Sequence, residues 1–149
     1  MERSITQTAF LKPPSEQMIR VAGYARVSSG KDAMLHSLAA QVSHYSDFIQ
    51  RHHGWSYVGV YADEAKTGTK DSRDNFQRML ADCRAGKIDL IITKSISRFA
   101  RNTVTLLETV RDLKGLGIAV WFEEQNIHTM SDDGELMLPI LASYAQEES

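Results

Sequence analysis

The sequence is short of cysteine and has no long apolar run, and each shortage excludes a class of protein. Its 149 residues contain one cysteine, Cys83, so no disulfide can form within the chain and a reducing compartment is expected. No apolar stretch approaches the ~20 residues that cross a bilayer, and the first residues lack the apolar segment of a secretion signal. These features predict a soluble, cytoplasmic protein with no membrane partner.

An excess of positive charge is also missing. The formal net charge is −2 at pH 7, whereas a protein that grips a phosphate backbone over a broad surface is usually strongly basic. Composition alone therefore argues against DNA as a partner. The hydrophobic content of 42% is enough to bury the core of one domain, and Cys83 falls in a helical pattern that predicts a small buried thiol.

Strand and helix patterns alternate along the chain. A period of two runs from Ile19 to Val27 and is broken at Ser28-Ser29-Gly30, as expected for a strand. Further strands are predicted at Tyr57 to Ala62, Asp89 to Thr93 and Ile118 to Phe122. Helices are predicted at Met34 to His53 (ended by Gly54), Ser72 to Ala85 and Thr103 to Leu116. This order predicts an α/β fold with a mostly parallel central sheet and helices on both faces.

The two ends of the chain carry weaker patterns. Met1 to Gln17 shows no clear period, so residues 1–18 are expected to form a mobile leader and residues 19–149 a single domain. Near the other end one helical face would carry Leu136, Met137, Ile140, Leu141 and Tyr144, with Pro139 kinking the helix or marking its start. No stop signal closes this pattern at Ser149, which predicts the start of a long C-terminal helix in a fragment of a longer protein.

Three polar clusters follow predicted strands. The first cluster pairs Arg26 with Ser28, which are two residues apart and therefore on the same face of a strand. The second cluster, Lys94 to Asn102, contains Arg98 and Arg101. The third cluster runs from Asp63 to Arg73. Viewed singly, each cluster is equally or better explained as a solvated surface turn, with Asn102 capping the next helix. Together they would bring a hydroxyl and several guanidinium groups to one edge of the sheet, which suits phosphoryl transfer.

Five blocks in the right order resemble the catalytic domain of the serine site-specific recombinases, the resolvase/invertase family. The blocks are Tyr24 to Ser29, Ser37 to Gln41, Asp63 to Arg73, Ser97 to Asn102 and Leu141 to Glu147. The resemblance implies that Ser28 is the nucleophile, that the scissile phosphate lies among Arg26, Arg73, Arg98 and Arg101, and that Gln41 and Asp63 are supporting residues.

The resemblance also implies a mechanism and its partners. Ser28 would form a transient 5′-phosphoserine link with DNA, followed by strand exchange and religation, without a cofactor or metal. The sequence accordingly has no Gly-x-x-x-x-Gly-Lys-Ser/Thr loop and no Cys/His cluster, and its histidines are interpreted as surface or structural residues. The implied partners are double-stranded DNA recombination sites and further copies of the chain, as a dimer and a DNA-bound tetramer of the full-length protein. This fragment alone would be a monomer or weak dimer, with base readout in a missing C-terminal region.

Two departures separate this chain from the small resolvases. Ser97 stands where the resolvases have an aspartate, so no general base is assigned, and the loop between Ser28 and Gln41 is longer. Both features are similar to the large serine recombinases, integrases and transposases, which implies integration, excision or transposition of a mobile element.

Two other classes of function stay open. A metal-dependent nuclease or a topoisomerase-primase-like domain would share the α/β architecture, although it would need converging carboxylates and the sequence has no Asp-x-Asp pair. A non-catalytic assembly module could instead use Asp63 in an acidic pocket and the final helix as an interface.

Overall fold

The computed structural model describes residues 18–27, 32–64, 73–100, 102–131, 136 and 138–140, with side chains of the first helix from residue 38 onward. Several predicted features lie outside these residues. They are the leader Met1 to Gln17, the nucleophile Ser28, Arg101, most of the loop before Arg73, and Met137, Leu141 and Tyr144 of the terminal stripe.

Five strands in the described part of the chain form one sheet. They are β1 (Ile19–Val27), β2 (Trp55–Glu64), β3 (Leu90–Thr93), β4 (Ala119–Phe122) and β5 (Ile127–His128). Their order across the sheet is β2-β1-β3-β4-β5, and only β5 is antiparallel to its neighbour. This confirms the predicted mostly parallel sheet, with β1 at an inner position.

Helices cover both faces of the sheet, as predicted. They are α1 (Asp32–Arg51), α2 (Asp74–Arg84), the single turn α3 (Ile96–Phe99) and α4 (Thr103–Gly115). Tyr45 and Ile49 of α1 pack with one cluster of buried residues, whereas α2 and α4 pack into the other through Met79, Cys83 and Leu106. Cys83 is buried, as its position in the helical pattern predicted.

The inner strand β1 is buried on both faces. Its alternation sorts residues between the two clusters: Val21 and Ala25 lie on the α1 side, while Ala22 and Tyr24 lie on the side of α2 and α4. At Gly23 a Cβ atom would come within 3.0 Å of the Tyr45 Cβ. Glycine therefore allows α1 to approach the strand closely.

Several predicted boundaries shift by a few residues. Strand β2 extends two residues beyond each predicted end, and β3 and β4 each begin one residue late. Helix α1 begins at Asp32 and ends at Arg51, two residues earlier than predicted at both ends, and Gly54 adopts φ 88° in the following turn. Helix α2 begins at Asp74 rather than Ser72, because Arg73 has a left-handed conformation with φ 51°.

The described part of the terminal segment is only partly what the sequence predicted. Residues 138–140 are helical and include Pro139. Leu136 and Ile140 of the predicted stripe are 73% and 63% exposed, so they do not pack on the sheet of their own chain. Leu138, which the predicted stripe left out, is the buried residue, at 1% exposure.

No helix among the described residues is both long enough and apolar enough to cross a membrane.

Candidate active site

Parallel pairing brings the carboxyl-terminal ends of β1, β2 and β3 to one edge of the sheet. Arg26 lies beside Asp63 in the register of β1 and β2, and Tyr24 lies beside Thr93 in the register of β1 and β3. Ser28 directly follows Val27, the last residue of β1, in the sequence. Ligands of open α/β sheets bind at this kind of edge, so the three predicted clusters leave the sheet where a site is expected.

Asp63 organises the site rather than facing solvent. Its carboxylate is buried and accepts hydrogen bonds from the Tyr24 hydroxyl at 2.8 Å, the Asn75 amide at 2.9 Å and the Phe76 amide at 3.0 Å. The two amides belong to the first turn of α2, where N–H groups have no partner within the helix. Asp63 therefore attaches the start of α2 to the end of β2, and a supporting role fits this position.

Tyr24 links Asp63 to Arg73. Burial raises the pKa of the Tyr24 hydroxyl above its ordinary value, against the opposing charge of Arg73, so the group stays protonated and donates to Asp63. The same oxygen accepts a 3.3 Å hydrogen bond from Arg73 Nε. The sequence pattern marked Tyr24 only as part of a recognised block, since a tyrosine in a buried strand is usually just a core residue.

Arg73 spans the gap between α2 and the segment after β3. Its Nη2 donates to the Phe99 carbonyl at 2.6 Å, and its guanidinium carbon lies 3.8 Å from the centre of the Phe76 ring. A planar guanidinium held by stacking and by backbone carbonyls has a well-defined orientation. This predicted phosphate ligand is therefore fixed in place before any substrate binds.

Arg98 reaches the end of β1 from α3. Ser95 caps this single turn, since its Oγ accepts from the Arg98 amide, and Arg98 Nη1 donates to the Arg26 carbonyl at 2.8 Å. Helix α3 ends at Phe99 and Ala100 is extended.

Gln41 lies with Arg98 on the α1 side of the sheet. It lines a cleft of about 340 Å³ together with Tyr45 of α1, Lys94, Arg98 and Glu123. Its Oε1 atom is buried and has no hydrogen-bond partner among the described residues. Glu123 belongs to none of the three predicted clusters, although it directly follows β4 and polar residues after the ends of parallel strands gather at one edge of the sheet.

Ser97 and the histidines make local structural contacts. Ser97 is exposed, and its Oγ lies 3.1 Å from Ser95 Oγ. His52 stacks on Trp55 with ring centres 3.6 Å apart, and His128 accepts a hydrogen bond from the Met130 amide at 3.3 Å.

Asn102 caps α4, as predicted, through a 2.8 Å hydrogen bond from the Thr105 amide. No group of three His, Cys, Asp or Glu side chains in the described ranges could hold a metal ion.

The pattern of the resolvase N-terminal domain family matches residues 21–149 of this chain. The chain belongs to this family.

This resolvase-family chain is similar in sequence to a resolvase and to a probable DNA-invertase. It is 28% identical over 130 residues to the transposon Tn3 resolvase of Escherichia coli, a match that covers 87% of the chain and 64% of that protein. A probable DNA-invertase of Sinorhizobium fredii is 29% identical over 143 residues, covering 94% of the chain and 41% of that protein. The chain thus spans less than two thirds of the length of these relatives.

Solved structures agree with the family and the fold. A resolvase-family site-specific recombinase from Streptococcus pneumoniae superposes with a TM-score of 0.69 at 32% identity, covering 87% of each chain. The N-terminal catalytic domain of TP901-1 integrase gives a TM-score of 0.62 at 26% identity, covering 87% of this chain and 95% of that one. These matches confirm the predicted serine recombinase family and its resolvase-like α/β fold.

Proposed function

We propose that residues 19–149 are the catalytic domain of a site-specific DNA recombinase in which Ser28 is the nucleophile. The observation that carries this proposal is the convergence of Arg26, Arg73 and Arg98 at the sheet edge where β1 ends, directly before Ser28 in sequence. Guanidinium groups remain charged at any working pH and can donate to two oxygens of one phosphate. The chain therefore has the means to stabilise the charge that develops on a phosphodiester under attack.

In the proposed reaction the Ser28 Oγ forms a bond to phosphorus while the bond from phosphorus to the 3′ oxygen breaks. Ser28 loses its proton and the departing oxygen gains one, which leaves a 5′-phosphoserine ester and a free 3′-hydroxyl. Attack of a 3′-hydroxyl on the ester then restores a phosphodiester and the serine. The covalent link conserves the bond energy, so religation needs no outside energy source.

The remaining family positions have supporting roles in this proposal. Arg101 would complete the set of cations around the phosphate, and Gln41 would act from the cleft that it shares with Arg98. Asp63 would act at a distance, because its hydrogen bonds to Tyr24 and to α2 hold Arg73 in place.

The proposed partners are double-stranded DNA sites of a mobile element, for its integration, excision or transposition, and other copies of the chain. Leu136 and Ile140 begin an exposed apolar face at the terminal helix, which would be covered in a dimer and in a DNA-bound tetramer of the full-length protein. Ultracentrifugation with and without site DNA tests this assembly. A full-length protein that stays monomeric on its recombination site would contradict it.

Trapping the protein–DNA adduct tests the mechanism directly. The full-length protein is incubated with its recombination site carrying a phosphorothiolate at the scissile position, which blocks resealing, and the modified residue is mapped by mass spectrometry. We expect the adduct on Ser28, none in Ser28→Ala, and a normal yield in Ser43→Ala, which changes an exposed serine of α1. An adduct on another residue would remove Ser28 from the mechanism.

The same assay separates the alternative functions. A serine recombinase should cleave equally well in EDTA, whereas loss of cleavage in EDTA would favour a metal-dependent nuclease. A folded full-length protein that never forms an adduct would favour the non-catalytic assembly module.

A further inference from the structure

One side chain from the turn after β4 reaches the short helix that carries Arg98. Gln125 lies between β4 and β5, and its Oε1 atom accepts a 3.2 Å hydrogen bond from the amide of Ile96, the first residue of α3. The N–H groups in the first turn of a helix have no partner within that helix. Gln125 therefore gives the Ile96 amide a partner that α3 itself cannot supply.

Helix α3 depends on outside contacts because it is a single turn. One turn fixes several backbone dihedrals for few hydrogen bonds, so it is not stable alone. Phe99 holds the far end of α3, since its ring is fully buried and packs edge-on against two other phenylalanine rings. The near end is held by the buried Ile96 side chain and by the bond from the Ile96 amide to Gln125. Arg98 lies between these two attachments.

The turn that contains Gln125 is itself attached to the edge of the sheet. The Glu123 amide donates to the Thr93 carbonyl at 3.0 Å. The Glu124 amide donates to the Lys94 carbonyl at 2.8 Å. These two bonds continue the pairing of β3 with β4 beyond the ends of both strands. The Gln125 side chain therefore extends from a backbone that is held in place one residue earlier.

Two of the proposed phosphate ligands take their positions from α3. Arg98 belongs to this helix, and its Nη1 donates to the Arg26 carbonyl at 2.8 Å. Arg73 Nη2 donates to the Phe99 carbonyl at 2.6 Å, at the far end of the same turn. A shift of α3 would therefore displace both guanidinium groups relative to the end of β1.

We infer that Gln125 is a positioning residue for the proposed active site: its bond to the Ile96 amide fixes α3, and α3 in turn places Arg98 and Arg73. The inference rests on the proposed function, because that function assigns both arginines to the scissile phosphate. A small displacement of catalytic groups lowers the rate of a reaction even where the substrate still binds. The loss of this one acceptor should therefore be visible in cleavage.

Two substitutions at position 125 separate the hydrogen bond from the bulk of the side chain. Gln125→Met keeps the length of the side chain and removes its amide oxygen. Gln125→Glu keeps an oxygen acceptor, and a negative charge is favourable at the start of a helix. Gln77→Met, at an exposed site on α2, is the matched control.

The first measurement is single-turnover cleavage by the full-length protein. We expect the rate constant to fall about tenfold in Gln125→Met, the scale of one lost hydrogen bond. In Gln125→Glu and Gln77→Met it should stay within about threefold of the wild-type value, because neither removes the acceptor. The Kd for DNA should change by less than about twofold in all three variants, because the effect falls on orientation and not on binding.

The second measurement uses NMR of the DNA-free full-length protein and needs no activity. The Ile96 amide should exchange faster with water in Gln125→Met and stay protected in Gln125→Glu. The side-chain Nε–H signals of Arg73 and Arg98 should shift in Gln125→Met and keep their positions in Gln77→Met. Urea titration of each variant gives the folded fraction under the assay conditions.

Four results would overturn the inference. They are a wild-type cleavage rate constant in Gln125→Met, arginine signals that do not move, an equal loss of rate in Gln125→Glu, and a loss that only matches the unfolded fraction of the variant. Absence of a serine–DNA adduct in the wild-type protein would instead overturn the proposed function, so the two failures can be told apart.

Discussion

The Arg98 guanidinium donates a 2.8 Å hydrogen bond to the backbone carbonyl of Arg26, a residue 72 positions earlier in the chain. This bond attaches the short helix α3 to the end of β1, two residues before Ser28. An arginine can hold a carbonyl with one nitrogen and still present its other N–H groups to a phosphate, because its five donors are spread over a rigid planar fork. A lysine has a single nitrogen at the end of a flexible chain.

The first prediction follows from this geometry. Arg98→Lys should lower the single-turnover cleavage rate constant by roughly 10- to 100-fold, the range expected for a lost hydrogen bond to a charged group. The fold should be unchanged, as judged by circular dichroism and thermal unfolding. Arg84→Lys, an exposed position on α2, is the matched control. A Lys variant that cleaves at the wild-type rate would show that Arg98 acts only as an ordinary surface cation.

The second prediction concerns the buried carboxylate at the end of β2. Asp63→Ala leaves the Tyr24 hydroxyl and the amides of Asn75 and Phe76 without their acceptor. Loss of such buried bonds should lower the free energy of unfolding by about 2–4 kcal/mol, measured by urea titration of the DNA-free chain. Asp112→Ala, at an exposed site on α4, should change it by less than about 0.5 kcal/mol. Equal effects of the two substitutions would show that Asp63 does not anchor α2.

The third prediction concerns the thiol of Cys83. Burial raises the pKa of this thiol to about 12, so almost none of it is ionised near pH 8. Iodoacetamide should therefore alkylate the native chain far more slowly than the urea-unfolded chain. Because the sequence has a single cysteine, mass spectrometry reports on this site alone. Equally fast alkylation of the native and unfolded chains would mean that the region around α2 opens readily.

The fourth prediction concerns pH and the ion pair at the opposite end of β1. Hydrogen bonds from Arg20 lower the pKa of Asp89 below its ordinary value of 3.8. A lowered pKa in the folded state means that the stabilisation is fully present above the unfolded pKa and is lost as the pH falls through the folded one. Since both side chains are more than a third exposed, at 46% and 39%, the pair should contribute only about 1 kcal/mol or less at pH 7.

Asp89→Asn tests that prediction. The variant should lose this small stabilisation at pH 7 and approach the wild-type protein in stability near pH 3, in urea titrations at both pH values. Asp47→Asn, at an exposed site on α1, is the control. A stability difference that is the same at both pH values would show that ionisation of Asp89 does not contribute.

Local patterns predicted the elements of this fold well, because period and caps report the conformation of each segment. Strand β1 has the predicted bounds, Asn102 caps α4, and Cys83 is buried. The errors lie where another part of the chain intervenes. Strand β2 is longer than its pattern because pairing with β1 extends it to Trp55 and Glu64. Leu138 is buried outside the predicted stripe because it packs into the cluster beneath α2 and α4.

The residue types of the site were likewise visible in sequence, as arginines and an aspartate that follow strands. Their partners were not. Arg73 meets the Phe99 carbonyl and Arg98 meets the Arg26 carbonyl only because the sheet and its helices bring distant segments together. Hydrophobic period depends on neighbours three or four residues away and can be recognised from the chain alone. The orientation of a guanidinium depends on contacts with backbone and side chains tens of residues away, and those contacts exist only once the helices have packed on the sheet.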